Sequence, residues 1–168
     1  MLRPLSRADR GAIERIVRAT GAFREDEVRV ALELVDAEEA EGYRFVVAEV
    51  EGAVAGYACF GATPLTIGTW DLYWIAVDPA MQGRKIGRAL FDAAVAAVRA
   101  EGGRMLLIET GGKASYGATR SAYLSWGCVE VARVPDFYEV GDDKVIYARI
   151  IASGSSPRSS PATAPRAD

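Results

Sequence analysis

The chain contains no histidine. That absence removes Ser-His-Asp and Cys-His nucleophilic catalysis and most zinc sites. Any proton transfer is left to Asp, Glu, Tyr, Lys, Cys or water. Cysteine is almost as scarce. Cys59 and Cys128 are too few for a disulfide framework, lack metal-ligand spacing and sit in apolar surroundings, as buried small hydrophobes do. No metal site is expected. No apolar run approaches the ~20 residues of a membrane span, and Met1-Leu2-Arg3-Pro4 does not open a signal-peptide core. A cytoplasmic protein with no membrane partner is the expectation. Charge of one sign is not in excess either: 20 Lys and Arg against 23 Asp and Glu leave a net charge of −3. The whole-protein field therefore offers nothing to nucleic acid.

What is present suits one globular domain. The 168 residues are 50% hydrophobic and 26% charged, enough to build a core. Residues 152–168 carry nothing apolar larger than Ala, so they cannot offset the entropy of ordering and read as a disordered tail. The domain is expected over residues 1–151. Met1–Leu5 reads as a short edge strand. Ser6 and Asp9 are candidate caps for a helix over 8–19, with Ile13, Ile16 and Val17 on one face, and Gly21 ends it. A second helix is expected over 24–40, its Glu25-Asp26-Glu27 start matched to the helix dipole.

The period then changes. Tyr43–Glu49 and Ala53–Phe60 read as an antiparallel hairpin across Glu51-Gly52, and Thr69–Val77 as another strand. Alternation along that strand puts Asp71, Tyr73 and Ile75 on one face and Trp70 and Trp74 on the other. A helix follows over 87–101, ended by Gly102-Gly103. A buried-type strand over 104–110 then lies parallel to 69–77, because the helix between them is a crossover. A fourth helix over 115–126 precedes a final hairpin of 129–134 and 144–151. The segment Pro135–Glu139 is expected as a loop between those strands, near an acceptor pocket. The order β-α-α-β-β-β-α-β-α-β-β defines an α/β mixed sheet and disfavours a doubly wound dinucleotide fold.

The densest chemical signal is Val77-Asp78-Pro79-Ala80-Met81-Gln82-Gly83-Arg84-Lys85-Ile86-Gly87-Arg88. A strand runs into a proline, a Gly/basic turn follows, and a helix begins. The first turn of a helix has N–H groups without intrahelical partners and a partial positive charge, so this order builds an anion site. Gly83 and Gly87 admit close approach, and Arg84, Lys85 and Arg88 add charge. A pyrophosphate is the natural guest. The turn lacks both the Gly-Lys-Ser/Thr ending of a P-loop and a Gly-x-Gly-x-x-Gly fingerprint.

Taken with the strand before it and with Tyr123-Leu124-Ser125-Trp126-Gly127-Cys128 further on, this turn resembles the cofactor motif of the GNAT superfamily of acyl-CoA-dependent N-acetyltransferases. Gln82-Gly83-Arg84-Lys85-Ile86-Gly87 matches Gln/Arg-x-x-Gly-x-Gly/Ala, with Lys85 in the place of the first Gly. The resemblance covers residues 2–151 and implies a GNAT-like fold in which the two central parallel strands splay apart. It implies that the backbone of Gln82, Gly83, Arg84, Lys85, Ile86, Gly87 and Arg88 holds the pyrophosphate of acetyl-CoA. It also implies that Ile75, Ala76 and Val77 pair with the pantetheine arm. Tyr123 takes the place of the family's acid, which protonates the departing thiolate, although Cys128 stands where that motif has Phe. Tyr116 stands where the family often carries a cofactor-binding Asn.

The base that must deprotonate the acceptor ammonium is left to Asp71, six residues before Val77, or Glu109, at the C-terminal end of the next strand. With no histidine to activate a thiol, acetyl moves directly to a primary amine in a ternary complex. The alternative is a non-catalytic acyl-CoA sensor. A small molecule or amino acid is the expected acceptor; protein lysine or a peptide N-terminus is the alternative. The resemblance admits a homodimer.

Overall fold

The computed structural model describes residues 1–37 and 42–151. The proposed tail, 152–168, and the end of the helix expected over 24–40 lie outside the described residues. Seven strands form one mixed sheet: β1 (Leu2–Arg3), β2 (Tyr43–Val50), β3 (Ala53–Ala62), β4 (Thr69–Val77), β5 (Met105–Gly111), β6 (Val129–Glu139) and β7 (Asp142–Ile150). Their spatial order is β1-β2-β3-β4-β5-β7-β6. Four helices cover it: α1 (Arg10–Ala19), α2 (Glu25–Ala37), α3 (Ile86–Ala100) and α4 (Gly117–Ser125). No described helix is long and apolar enough to cross a membrane.

Two cores sandwich the sheet. Ile13, Ile16 and Val17 of α1 and Val28, Leu32 and Val35 of α2 bury against Val47, Tyr57 and Cys59 on one face. On the other, Leu90, Phe91, Ala94 and Val98 of α3 meet Phe60, Leu72, Leu106 and Tyr147. Each helix buries the stripe that its 3.6-residue period defines. Glu51 (φ 52°) and Gly52 (φ 79°) both take positive φ, as a two-residue turn between right-twisted strands requires.

The first helix is tied down by a small polar knot. Ser6 accepts from Ala8 N–H, and buried Asp9 accepts from Ser6 N–H at 2.8 Å, a reciprocal capping box. Arg3 on β1 donates to both Asp9 oxygens, at 2.7 and 2.9 Å. The Arg3 guanidinium holds the Asp9 carboxyl below its ordinary range. Asp9→Asn keeps an acceptor for Ser6 but loses the charge-assisted pair, and is expected to cost about 1–3 kcal/mol. Because the folded pKa is depressed, this stability is present above the unfolded value near ~3.9 and is lost as pH falls through the folded one. Urea titrations should therefore show the gap between wild type and variant closing below about pH 4.

Two expectations are corrected. Opposite Cys59–Phe60 the register slips, leaving Tyr73 as an extra residue on β4. This bulge reverses the alternation. Trp70 and Leu72 bury on the α3 face, whereas Trp74 and Ala76 turn to the α1–α2 face. Trp70 and Trp74 therefore do not share a face, and neither do Asp71 and Ile75. The second correction concerns Pro135–Glu139, which is not a free loop but the far half of β6. The slips that accommodate it, one of them between Val134 and Glu139, are features that single-strand alternation does not reveal.

Candidate active site

The parallel pair at the centre of the sheet is short. Thr69–Leu72 of β4 pair with Met105–Ile108 of β5, and the pairing stops there. Beyond it β4 stays with β3 as far as Val77↔Gly56, while β5 stays with β7 as far as Gly111↔Lys144. The two strands part, and a cleft of about 710 Å³ opens between them. The Tyr73 bulge lies where the pairing ends, which is where extra twist turns β4 away. Ile75, Ala76 and Val77 line one wall and Glu109, Thr110 and Gly111 the other. The facing edge of β4 from Tyr73 to Val77 offers N–H and C=O groups that no β5 residue takes, an arrangement suited to an extended polar ligand.

At one end of the cleft the chain makes a short 3-10 turn, Pro79–Met81, and enters α3. Asp78 caps the turn, its carboxylate accepting from Ala80 N–H at 2.9 Å. Gly83 and Lys85 both sit at positive φ, 77° and 63°. Among the described residues, the N–H groups of Gly83, Arg84, Lys85, Ile86, Gly87 and Arg88 donate to no backbone acceptor; the first to do so is Ala89, to Lys85 C=O at 3.0 Å. Six successive donors, three just before and three in the first turn of a helix of 15 residues, form a cradle suited to an anion. Gln82 lines the cleft. Arg88 is paired with Asp92 at 2.7 Å. Gly87 admits more than a ligand: a Cβ there would meet Trp126 at 3.4 Å and Val77 at 3.6 Å, ordinary packing contacts.

Lys85 is left-handed rather than helical, a conformation that costs a residue with a Cβ about 1–2 kcal/mol. Lys85→Gly is therefore expected to raise stability by about 1 kcal/mol in denaturant titrations. The same change removes one exposed charge and should weaken anion binding about two- to fivefold. Opposite signs in the two assays are the diagnostic result.

Tyr123 of α4 closes the floor of the cleft. It is 5% exposed and wedged between Trp126, edge-on at 5.6 Å between centroids, and Tyr147 at 5.9 Å. Burial, with a lesser contribution from Cys128, pushes its phenol well above the ordinary tyrosine range. The group remains a proton donor at any physiological pH. Burial also pushes the Cys128 thiol up to about 11, so neither this thiol nor that of Cys59, pushed up to about 12, is a ready nucleophile.

The two candidate bases are placed differently. Glu109 lines the cleft, its carboxylate 2.5 Å from Lys144 Nζ. Asp71 lies in the paired part of β4, opposite Leu107, and accepts from the Thr63 hydroxyl at 2.6 Å; it is not among the residues lining the cleft. Tyr116 is part of the cleft wall, and its hydroxyl donates to Ala22 C=O at 2.9 Å, which ties the start of α4 to the connection between α1 and α2.

Several residues that build the cleft carry no local signal. Asp142, 7% exposed, accepts from Gly112 and Lys113 N–H at 2.9 and 3.2 Å. Arg120 donates to Gly111 and Lys113 C=O at 2.7 and 2.8 Å. Together they fix the turn after β5. Gly111 is needed there, since a Cβ would meet the Tyr116 ring at 2.8 Å. Phe23 stands edge-on to Trp74, 4.8 Å between centroids, on the opposite wall. In the sequence neither Asp142 nor Arg120 belongs to a motif.

A mixed sheet split at its parallel pair, with unpaired donors beside the split and a buried phenol on its floor, is an arrangement suited to an extended anionic ligand. Residues 12–120 match the model of the Acetyltransferase (GNAT) family, and the chain belongs to that family. It is similar to a solved GNAT-family protein from Desulfovibrio desulfuricans, with 44% identity over 90% of this chain and 99% of the other at a TM-score of 0.88. The fold is shared with the ribosomal-protein-alanine N-acetyltransferase of Brucella melitensis (21% identity, 90% and 99% covered, TM-score 0.75). It is also shared with yncA of Salmonella typhimurium, solved with its cofactor acetyl-CoA (23% identity, 95% and 98% covered, TM-score 0.74). No curated protein matches the chain.

Proposed function

We propose that the protein transfers an acetyl group from acetyl-CoA to the primary amine of a small molecule or amino acid by direct attack. The observation that carries this reading is the split between β4 and β5 with six unused N–H donors at its end. These features fit the cofactor: the cradle suits a pyrophosphate and the free edge of β4 suits an amide-bearing arm. Bound acetyl-CoA would supply an activated acyl group and a thiolate leaving group. In this reading the backbone of Gly83–Arg88 holds the phosphates, and that of Ile75–Val77 orients the arm and faces the carbonyl oxygen as negative charge develops on it. Tyr123 donates its phenolic proton to the departing sulfur.

Glu109 is the better placed base, because it lines the cleft and Asp71 does not. It takes the ammonium proton directly or through a water, and Lys144 holds its carboxylate in position. A cationic acceptor is supported by the lining. Glu27, Glu109, Glu139 and Asp142 outnumber Arg24 and Lys113, and Phe23, Trp74 and Tyr138 add aromatic faces. A CoA-release assay across small amines, amino acids and peptides with a free N-terminus tests the reading. Turnover is expected with small amines. Turnover only with peptides would overturn the acceptor class, and acetyl-CoA binding without turnover on any acceptor would overturn the enzyme reading in favour of a sensor.

A further inference from the structure

Beyond the paired segments Thr69–Leu72 and Met105–Ile108, the two walls of the cleft are held by different parts of the chain. On the β4 side stands the connection between α1 and α2. Phe23 seats it edge-on against Trp74, 4.8 Å between centroids. The Thr20 hydroxyl folds it, donating to Val17 C=O at 2.7 Å and accepting from Ala22 N–H at 3.3 Å. On the β5 side stands the turn into α4. Asp142 and Arg120 fix its backbone, and the Tyr116 ring packs so closely on Gly111 that a Cβ there would meet it at 2.8 Å.

One bond spans the gap. The Tyr116 hydroxyl donates to Ala22 C=O at 2.9 Å, joining residues 94 positions apart, and both residues line the cleft. The other hydrogen bonds between the two sides, among the described residues, lie at the paired end. They are the β4–β5 ladder and the bonds of Arg104 and Met105 to Ile67, Gly68 and Thr69. Past Leu72 and Ile108, the Tyr116–Ala22 bond is therefore the only hydrogen bond among the described residues that closes the split. The sheet holds the walls together at one end and this clasp holds them at the other. A single exposed bond contributes little net stability, so the clasp can open.

We propose that Tyr116 is a specificity-determining residue, whose clasp limits the acceptor to amines that fit within the cleft. The inference rests on the acyl-transfer reading given above. A cleft of about 710 Å³, part of it taken by a cofactor arm, encloses a small amine with the clasp closed. A peptide carries a chain behind its amine, and that chain needs the walls apart to leave. The peptide therefore forfeits the Tyr116–Ala22 bond on binding, whereas the small amine does not. The difference appears as a ratio of kcat/KM values. The net contribution of one such bond corresponds to a factor of about three to ten.

Tyr116→Phe keeps the ring against Gly111 and removes only the donor. Hydrogen exchange of the full chain, with steady-state kinetics on a small primary amine and on a short peptide bearing a free N-terminus, tests the proposal. In the variant, exchange over residues 20–24 is expected to quicken. The ratio of kcat/KM for the peptide to that for the small amine is expected to rise about three- to tenfold. A general loosening of the site would slow both acceptors and leave that ratio where it was. Unchanged exchange would overturn the clasp, whatever the acceptor. Faster exchange with an unchanged ratio, in a protein that turns over small amines, would overturn the selectivity alone and leave the acyl-transfer reading standing. A wild type that acts only on peptides, or on no acceptor, would overturn the acceptor reading and the selectivity with it.

Discussion

Tyr123→Phe is expected to lower kcat by about 10²–10³-fold while leaving the Kd for acetyl-CoA unchanged. The substitution removes one oxygen from a ring held between Trp126 and Tyr147, and those contacts are made by the ring rather than by the hydroxyl. What is lost, in the proposed mechanism, is the proton for the departing sulfur. The direction of the Tyr123 pKa shift adds a second, independent signature. Burial favours the neutral phenol, so ionisation occurs above the ordinary value near ~10. The wild-type rate should therefore show no alkaline loss attributable to this group below about pH 10. Steady-state kinetics across pH for both proteins checks both points. An unchanged kcat in the Phe variant would remove Tyr123 from the chemistry and leave it as core.

Gly87→Glu is expected to raise the Kd for acetyl-CoA at least ~100-fold. Two like charges roughly 5 Å apart repel by about 3 kcal/mol at an effective dielectric near ~20, and the new carboxylate competes for the same N–H donors. The fold should not suffer correspondingly, because a carboxylate in the first turn of α3 complements the helix dipole. Gly87→Ala separates charge from bulk. Its Cβ would touch Trp126 at 3.4 Å and Val77 at 3.6 Å, contacts of ordinary length, so affinity should fall by no more than about threefold. Calorimetric titration with acetyl-CoA, alongside thermal melts, distinguishes these outcomes. Undiminished affinity in the Glu variant would place the cofactor elsewhere.

The parts legible in the sequence are those whose physics is local. The capping box at Ser6 and Asp9, the Glu51-Gly52 hairpin and the stripes of α1 and α3 each depend on residues within a few positions of one another. So does the cradle over Gly83–Arg88, because a helix start leaves its own donors unpaired wherever it sits. Lys85 is the exception within that turn. Its left-handed backbone is seen only in the structure, and a side chain there would ordinarily argue for a helical residue instead.

The Tyr73 bulge shows why alternation failed on β4. The extra residue is defined against β3, and a strand read alone has no partner to reveal it. The same applies to β6, whose slips are visible only against β7. Asp142 and Arg120 lie far from Gly111 and Lys113 along the chain or on another element, so their part in fixing the cleft wall could not be read before the strands were set side by side.

The sequence by itself determined the order of elements, the run of unpaired donors at the start of α3 and the exclusion of histidine chemistry, since composition and short-range spacing are sufficient for each, whereas the acid candidate came from the family resemblance. Tertiary structure alone decided where β4 and β5 part, which of Asp71 and Glu109 faces the opening, and which face Trp74 presents. Those outcomes depend on register between distant strands, and a one-residue slip there reverses every side chain beyond it.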